Sequence, residues 1–331
     1  MKRAAAARIG IAFVAWLGVS AAVDAAADSP CQYPYRVGFR VATIAGLRVA
    51  LWYPTQELPS RHAYSGRFAG MVAADAAPAC GRLPLVIFSH GLGGCGTQSL
   101  YFTEELARHG YVVAAPDHHD AVFCTVDGRT GDLRRMVPEA PLLKPERWTD
   151  AAYADRRDNL EALIAALLVD PVFGEAIDGR AIGAAGHSLG GYTVVGLGGG
   201  WPRWKDGRIR AVLALSPYVQ PYMAKHSLAS LQVPVMYQGA ALDVGVTPWL
   251  EDAYAQTSAP KYFVKLRAGT HFAWTNVACG NAASVQACLE RTEPQLIAAY
   301  GIAFFDHYLK AMPAGILSGD GAGLATFRRS P

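Results

Sequence analysis

A serine hydroxyl becomes a useful nucleophile only when a base takes its proton and a third group orients that base. Gly186-His187-Ser188-Leu189-Gly190 has the pattern G-x-S-x-G, with the apolar run Ala181 to Ala185 before it and the potentially helical Tyr192 to Leu197 after it. That is the setting of a nucleophile elbow, where small residues on both sides permit a strained strand-to-helix turn. A carboxylate and a histidine follow in order. Asp243 stands in the turn after the apolar run Val233 to Tyr237, and His271 in Gly269-Thr270-His271-Phe272 after the run Tyr262 to Leu266. Ser188 is therefore expected as nucleophile, His271 as general base and Asp243 as the acid that orients it. An isolated aspartate is more often a cap or turn residue, and Asp206 and Asp252 compete for the role. Asp243 is preferred because it lies in the loop after the strand two beyond the elbow strand. His187, His226 and His307 compete with His271. His187 is turned away from the reacting carbonyl by its place in the elbow, and His307 falls within an amphipathic helix.

Acyl transfer also needs two N–H donors for the developing oxyanion, one on the residue after the nucleophile, here Leu189, and one in the loop after an earlier strand. That second loop reads Ser89-His90-Gly91-Leu92-Gly93-Gly94, whose glycines let the backbone approach a substrate closely. Gly91-Leu92-Gly93-Gly94-Cys95-Gly96 also fits G-x-G-x-x-G, with Asp117 about twenty residues on, as a dinucleotide site requires. The reading without a cofactor is preferred, because His90 separates the strand from the first glycine and the serine set would then be coincidence. His118-His119-Asp120 borders the pocket in this reading and holds no metal, since consecutive loop side chains seldom converge on one ion.

The elements that must carry these residues are legible as runs. Apolar segments of strand length occur at Leu83 to Ser89, Tyr111 to Ala115, Ala181 to Ala185, Ile209 to Leu215, Val233 to Tyr237 and Tyr262 to Leu266. Between them, Leu160, Leu163, Ile164, Leu167 and Leu168 keep the spacing of one helix face, and Gln295 to Lys310 puts Leu296, Tyr300 and Phe304 on one side. Apolar strands alternating with helices mean a mostly parallel sheet covered on both faces. Tyr35 to Thr43 and Leu47 to Pro54 flank a turn at Gly46 and predict an N-terminal antiparallel hairpin. Ala121 to Asp150 lacks periodicity and is expected as a long loop or small cap inserted near the site.

Lys2, Arg3 and Arg8 precede an apolar run from Ile9 to Val23 and then Ala25-Ala26-Ala27, which reads as a secretory signal peptide over residues 1–27. The run is shorter than the roughly 20 residues a membrane helix needs. Residues 28–331 are expected as one secreted or periplasmic domain, with no stable membrane insertion after cleavage. Loss of the leader leaves 27 basic and 26 acidic residues, a balance with nothing to attract nucleic acid. The six cysteines of an exported chain favour disulfides, and six allow fifteen connectivities. Cys279 with Cys288 is the pair best supported by spacing, and it would tether the loop that follows His271. Cys31 with Cys80 and Cys95 with Cys124 complete the expected set.

With these residues placed, the chain resembles the α/β-hydrolase group that includes bacterial dienelactone hydrolase-like proteins and platelet-activating-factor acetylhydrolases. Ser, then Asp, then His is the order of that fold. Phe88-Ser89-His90-Gly91-Leu92-Gly93, Gly110-Tyr111-Val112-Val113-Ala114-Ala115-Pro116-Asp117-His118, the elbow through Thr193, and Phe304-Phe305-Asp306-His307-Tyr308-Leu309 are similar to segments of the group. The resemblance implies an α/β-hydrolase fold, oxyanion donors on Leu92 and Leu189, and a triad of Ser188, Asp243 and His271 without cofactor. It also implies cleavage of a carboxylic ester through an acyl-enzyme, on a short-acyl or lactone-type substrate. A secreted polyester or lipid esterase is the alternative within the same chemistry. A non-catalytic binding protein on a hydrolase fold is the alternative from another class, and the complete triad speaks against it. Oligomeric state is not legible.

Overall fold

The strand-length apolar runs pair at the centre of one large sheet. In the computed structural model, residues 31–65, 68–124, 129–258 and 260–330 are described, so the expected leader over residues 1–27 lies outside them. The central strands are β5 (Leu83–Ser89), β6 (Val112–Pro116), β9 (Ile177–His187), β10 (Ile209–Leu215), β11 (Val235–Ala240) and β12 (Lys261–Leu266), all parallel to their neighbours in this group. The remaining strands are β1 (Val37–Ile44), β2 (Leu47–Pro54), β3 (Ser60–Ser65), β4 (Phe68–Ala74), the two-residue β7 (Phe123–Cys124) and β8 (Arg129–Thr130), and β13 (Leu324–Ser330). Eleven strands form one sheet in the order β13-β12-β11-β10-β9-β5-β6-β2-β1-β4-β3, and β7 pairs with β8 in a separate two-stranded sheet.

The N-terminal hairpin β1–β2 is antiparallel, and β2 joins the parallel set by antiparallel pairing to β6. β3, β4, β7, β8 and β13 were not read from the sequence. β3 and β13 are the two edge strands of the large sheet, and their polar residues, Ser60-Arg61-His62 and Arg328-Arg329-Ser330, interrupt any apolar signature; β4 is an apolar run between β1 and β3.

Alternation along each strand sends side chains to opposite faces, and each face has its own core. Val86 and Phe88 of β5 join Phe102, Leu106, Phe304 and Phe305 on one face, while Leu85 and Ile87 join Leu160, Leu163, Ile164 and Leu167 on the other. Helices α1 (Leu100–Arg108) and α7 (Thr292–Leu309) cover the first face. Helices α2 (Ala154–Leu168), α3 (Leu189–Val195) and α5 (Thr247–Gln256) cover the second; the short α4 (Gln220–Ala224) and α6 (Val285–Leu289) lie in connections. The periodic leucines of α2 are buried as their spacing requires, Leu168 only in part. The 121–150 insertion holds two single turns of 3-10 helix, Leu133–Met136 and Pro145–Arg147, and buries Trp148, whose Nε1 donates to Pro141 O at 3.0 Å.

Disulfides join Cys31 to Cys80 and Cys279 to Cys288. The expected Cys95–Cys124 bridge is corrected: both residues are buried as thiols, with Cys95 Sγ hydrogen-bonded to Cys124 and 3.3 Å from Thr97 Oγ1. The hydrogen bond to Cys124 outweighs burial and lowers the Cys95 thiol below its usual range.

Candidate active site

All the loops at issue leave the carboxyl ends of parallel strands, the edge of such a sheet where ligands bind. β9 ends at His187, and Ser188 turns the chain into α3 with φ 54 and ψ −115. Such a conformation strains any residue with a Cβ and persists only where packing holds it. Here the glycines permit the packing: a Cβ on Gly190 would stand 1.9 Å from Ser89 O, and one on Gly186 2.3 Å from Gly190 O. Ser188 N–H donates to Leu215 O at 3.0 Å and Ser188 O accepts from Tyr218 N–H at 3.1 Å, so the ends of β9 and β10 hold the elbow between them.

The structure brings the three sequence-derived residues together. His271 Nε2 lies 2.9 Å from Ser188 Oγ, and His271 Nδ1 lies 3.3 Å from Asp243 Oδ2. Asp243 is buried in the turn between β11 and α5, and its carboxylate also receives the Thr247 hydroxyl at 3.5 Å. Burial alone would push its carboxyl up, but hydrogen bonds from His271 and Ser216 outweigh burial and hold it below the usual carboxylate range. Of the competitors, Asp206 is paired with Arg208 at 2.6 Å and Asp252 is exposed on α5. His307 bonds Met312 O at 2.8 Å, and His226 is exposed on a short turn.

Ser216 was missed. It follows β10 with φ 42 and is fully buried. Its hydroxyl donates to Asp243 Oδ2, and its oxygen lies 2.9 Å from His271 Nδ1. It therefore shares the imidazole N–H with the carboxylate. A triad search asks only for Ser, His and an acid; the available signal was the position of Ser216 at the end of the strand between those of Ser188 and Asp243.

His187 supports the backbone of the base. Its Nε2 donates to His271 O at 2.8 Å, which leaves Nδ1 to accept from Gln98 Nε2 at 3.3 Å. Burial, together with the neighbouring His271, pushes its imidazole down to about 3, so it remains neutral. The stretch after His271 is fastened to the start of α1. Ser99 Oγ donates to Trp274 O at 2.6 Å, Tyr101 OH to Ala273 O at 2.8 Å, and Asn276 Oδ1 accepts from Leu100 N–H at 2.8 Å.

The Ser89–Gly94 loop comes up beside the elbow, where a Cβ on Gly91 would lie 3.4 Å from Ser188 Cβ. Leu189 N–H is at the first position of α3 and points out of the helix end without an intrahelical partner. The residues of the glycine pattern are committed to other contacts: Asp117 Oδ1 accepts from Gly96 N–H at 2.8 Å and Oδ2 meets Arg48 at 3.3 Å. His118, His119 and Asp120 face different partners, Ser89 and Asn159, Asp155 and Glu139, and Arg156 respectively.

Residues 67–135 match the family profile of platelet-activating factor acetylhydrolase, isoform II, a stretch that contains the Phe88–Gly93 block. Among solved structures, a ferulic acid esterase from Streptomyces cinnamoneus superposes with a TM-score of 0.67 at 22% identity, covering 89% of this chain and 96% of that one. The fold is that of the α/β-hydrolases, and the stretch 67–135 is similar to the platelet-activating factor acetylhydrolase family.

Proposed function

We propose that the protein is an exported serine esterase that acylates Ser188. His271 Nε2 takes the Ser188 proton as Oγ attacks the ester carbonyl, and returns it to the departing alcohol. Asp243, with Ser216, holds the imidazole in the tautomer that exposes Nε2 as acceptor and stabilises the imidazolium that forms. The N–H groups of Leu92 and Leu189 receive the oxyanion. Water then repeats the cycle on the acyl-enzyme. The observation that carries the reading is the unbroken chain of contacts Ser188–His271–Asp243, with 2.9 Å at its reacting end.

The substrate we favour first is a short-acyl or lactone-type ester. A larger apolar ester is the second reading, and one observation supports it: a groove of about 560 Å3 lined by Leu142, Leu143, Tyr218, Met223 and Trp249. Gly245 lines both this groove and the one lined by Asp243 and His271, so the apolar groove adjoins the triad's acid and base. The structural neighbour is a ferulic acid esterase by name, and an ester of that size is among those worth testing on this groove. Steady-state hydrolysis of p-nitrophenyl acetate, butyrate and octanoate, a simple lactone and methyl ferulate separates the readings. Turnover of at least one that disappears in Ser188→Ala is expected, and no turnover of any would overturn the esterase assignment.

A further inference from the structure

Arg156 and Asp120 are both wholly buried, with Arg156 Nη2 2.7 Å from Asp120 Oδ2 and Nε 3.2 Å from Oδ1. Burying two charges is costly, and such a pair often stabilises no better than apolar residues of the same volume. What the pair holds in place is then the feature to explain. The donors that Asp120 does not use go to the loop beside the nucleophile: Arg156 Nη1 donates to His90 O at 2.7 Å and Nη2 to Gly91 O at 3.3 Å. Asp120 Oδ2 accepts the Gly93 N–H at 3.2 Å. The ion pair therefore grips the backbone on both sides of Leu92.

Gly91 O and Leu92 N–H belong to one peptide group, which is planar and trans, so the N–H points opposite to the carbonyl. Gly91 O also accepts from His90 Nδ1 at 2.7 Å and from Gly94 N–H at 3.0 Å. Donors gathered on the carbonyl side aim the Leu92 N–H the other way. The flanking N–H groups are occupied, Gly91 by Gln98 Oε1 at 3.1 Å, Gly93 by Asp120 and Gly94 by Gly91 O. Among the described residues, Leu92 N–H alone of these four has no acceptor. We propose that the buried Arg156–Asp120 pair is a positioning device for catalysis, fixing the peptide plane that presents Leu92 N–H to the oxyanion. The inference rests on the esterase reading. A planar fork is required, because one guanidinium must reach two carbonyls and a carboxylate together, which an ammonium cannot do.

The test compares wild type with Arg156→Lys, which keeps the charge but loses the fork, and with the double variant Asp120→Leu/Arg156→Met, which removes both charges at once. Rates are expressed per Ser188 titrated by a fluorophosphonate, so that misfolded protein does not count. Removing one oxyanion donor outright costs roughly a hundred- to a thousandfold in kcat. A misaimed one is expected to cost roughly ten- to a hundredfold in both variants. KM should stay within about twofold, and affinity for a trifluoromethyl ketone, which forms the oxyanion, should fall with kcat. Wild-type kcat per titrated site in either variant, or a loss confined to KM with ketone affinity unchanged, would overturn the proposal. Absence of turnover in the wild type would instead refute the esterase reading beneath it.

Discussion

Ser216 places two hydrogen bonds where a triad has one. Its O–H neutralises part of the Asp243 charge while its oxygen shares the His271 Nδ1–H, so removal should leave the imidazole held by the 3.3 Å contact to Asp243 alone. Ser216→Ala is expected to lower kcat by roughly tenfold with KM little changed, since only transition-state stabilisation is lost. Asp243→Asn should cost roughly three to four orders of magnitude, because it also favours the wrong tautomer. Steady-state kinetics on one p-nitrophenyl ester measures both, and an Asp243→Asn enzyme of near-normal rate would mean that Ser216 or another group orients His271. Ser188, His271 and Asp243 were legible because each follows an apolar strand in a fixed chain order. Ser216 and Arg156 were not, since a serine after a strand and an arginine in a helix carry no distinguishing pattern until their partners are in space.

The loop after His271 is held by more than its cysteines. Its spacing of cysteines suggested that the Cys279–Cys288 bridge tethers the base. Hydrogen bonds from Ser99, Tyr101 and Leu100 to Trp274, Ala273 and Asn276 already fasten that stretch to α1. Replacing both cysteines by serine is therefore expected to lower stability by up to about 2 to 3 kcal/mol, seen as a fall in Tm, while kcat changes less than about twofold. A large loss of kcat at a temperature where the variant is folded would restore the tether to the disulfide. The buried histidines make a second prediction. Burial, reinforced by Arg156 for His90 and by His271 for His187, pushes these imidazoles down to about 4 and about 3. His118 is driven well below its usual value by burial and by Arg156. Unfolded histidines titrate near 6.5, so as pH falls from there toward 4 the unfolded chain takes up protons that the folded chain refuses. Stability should drop across that window by up to about 1.4 kcal/mol per pH unit for each histidine. The depressed carboxyl of Asp243 acts in the same direction only at lower pH, its contribution being lost as pH falls from the unfolded carboxylate range through the folded value. Tm measured from pH 7 to 4 checks this, and a flat profile would show that these rings accept protons while folded.

The molecule as a whole gathers its candidate site at one edge of a sheet whose parallel centre was readable from apolar runs, while the polar edge strands β3 and β13 were not. The 121–150 insertion had no periodic signal to predict its path, yet it supplies Leu142 and Leu143 to the apolar groove, and Tyr218 OH donates to Leu142 O to hold it there. Leu143→Asp is expected to reduce kcat/KM for p-nitrophenyl octanoate by roughly tenfold and for acetate by less than about twofold, as a lost apolar contact of 1 to 3 kcal/mol allows. Equal losses on both substrates would remove the groove from substrate binding. Acylation of Ser188 is the step on which the chemistry turns. When purified protein is treated with a fluorophosphonate and digested, one adduct is expected on the peptide containing Ser188, formed rapidly in wild type and slowly in His271→Ala. An unlabelled Ser188, or labelling that is indifferent to His271, would contradict it.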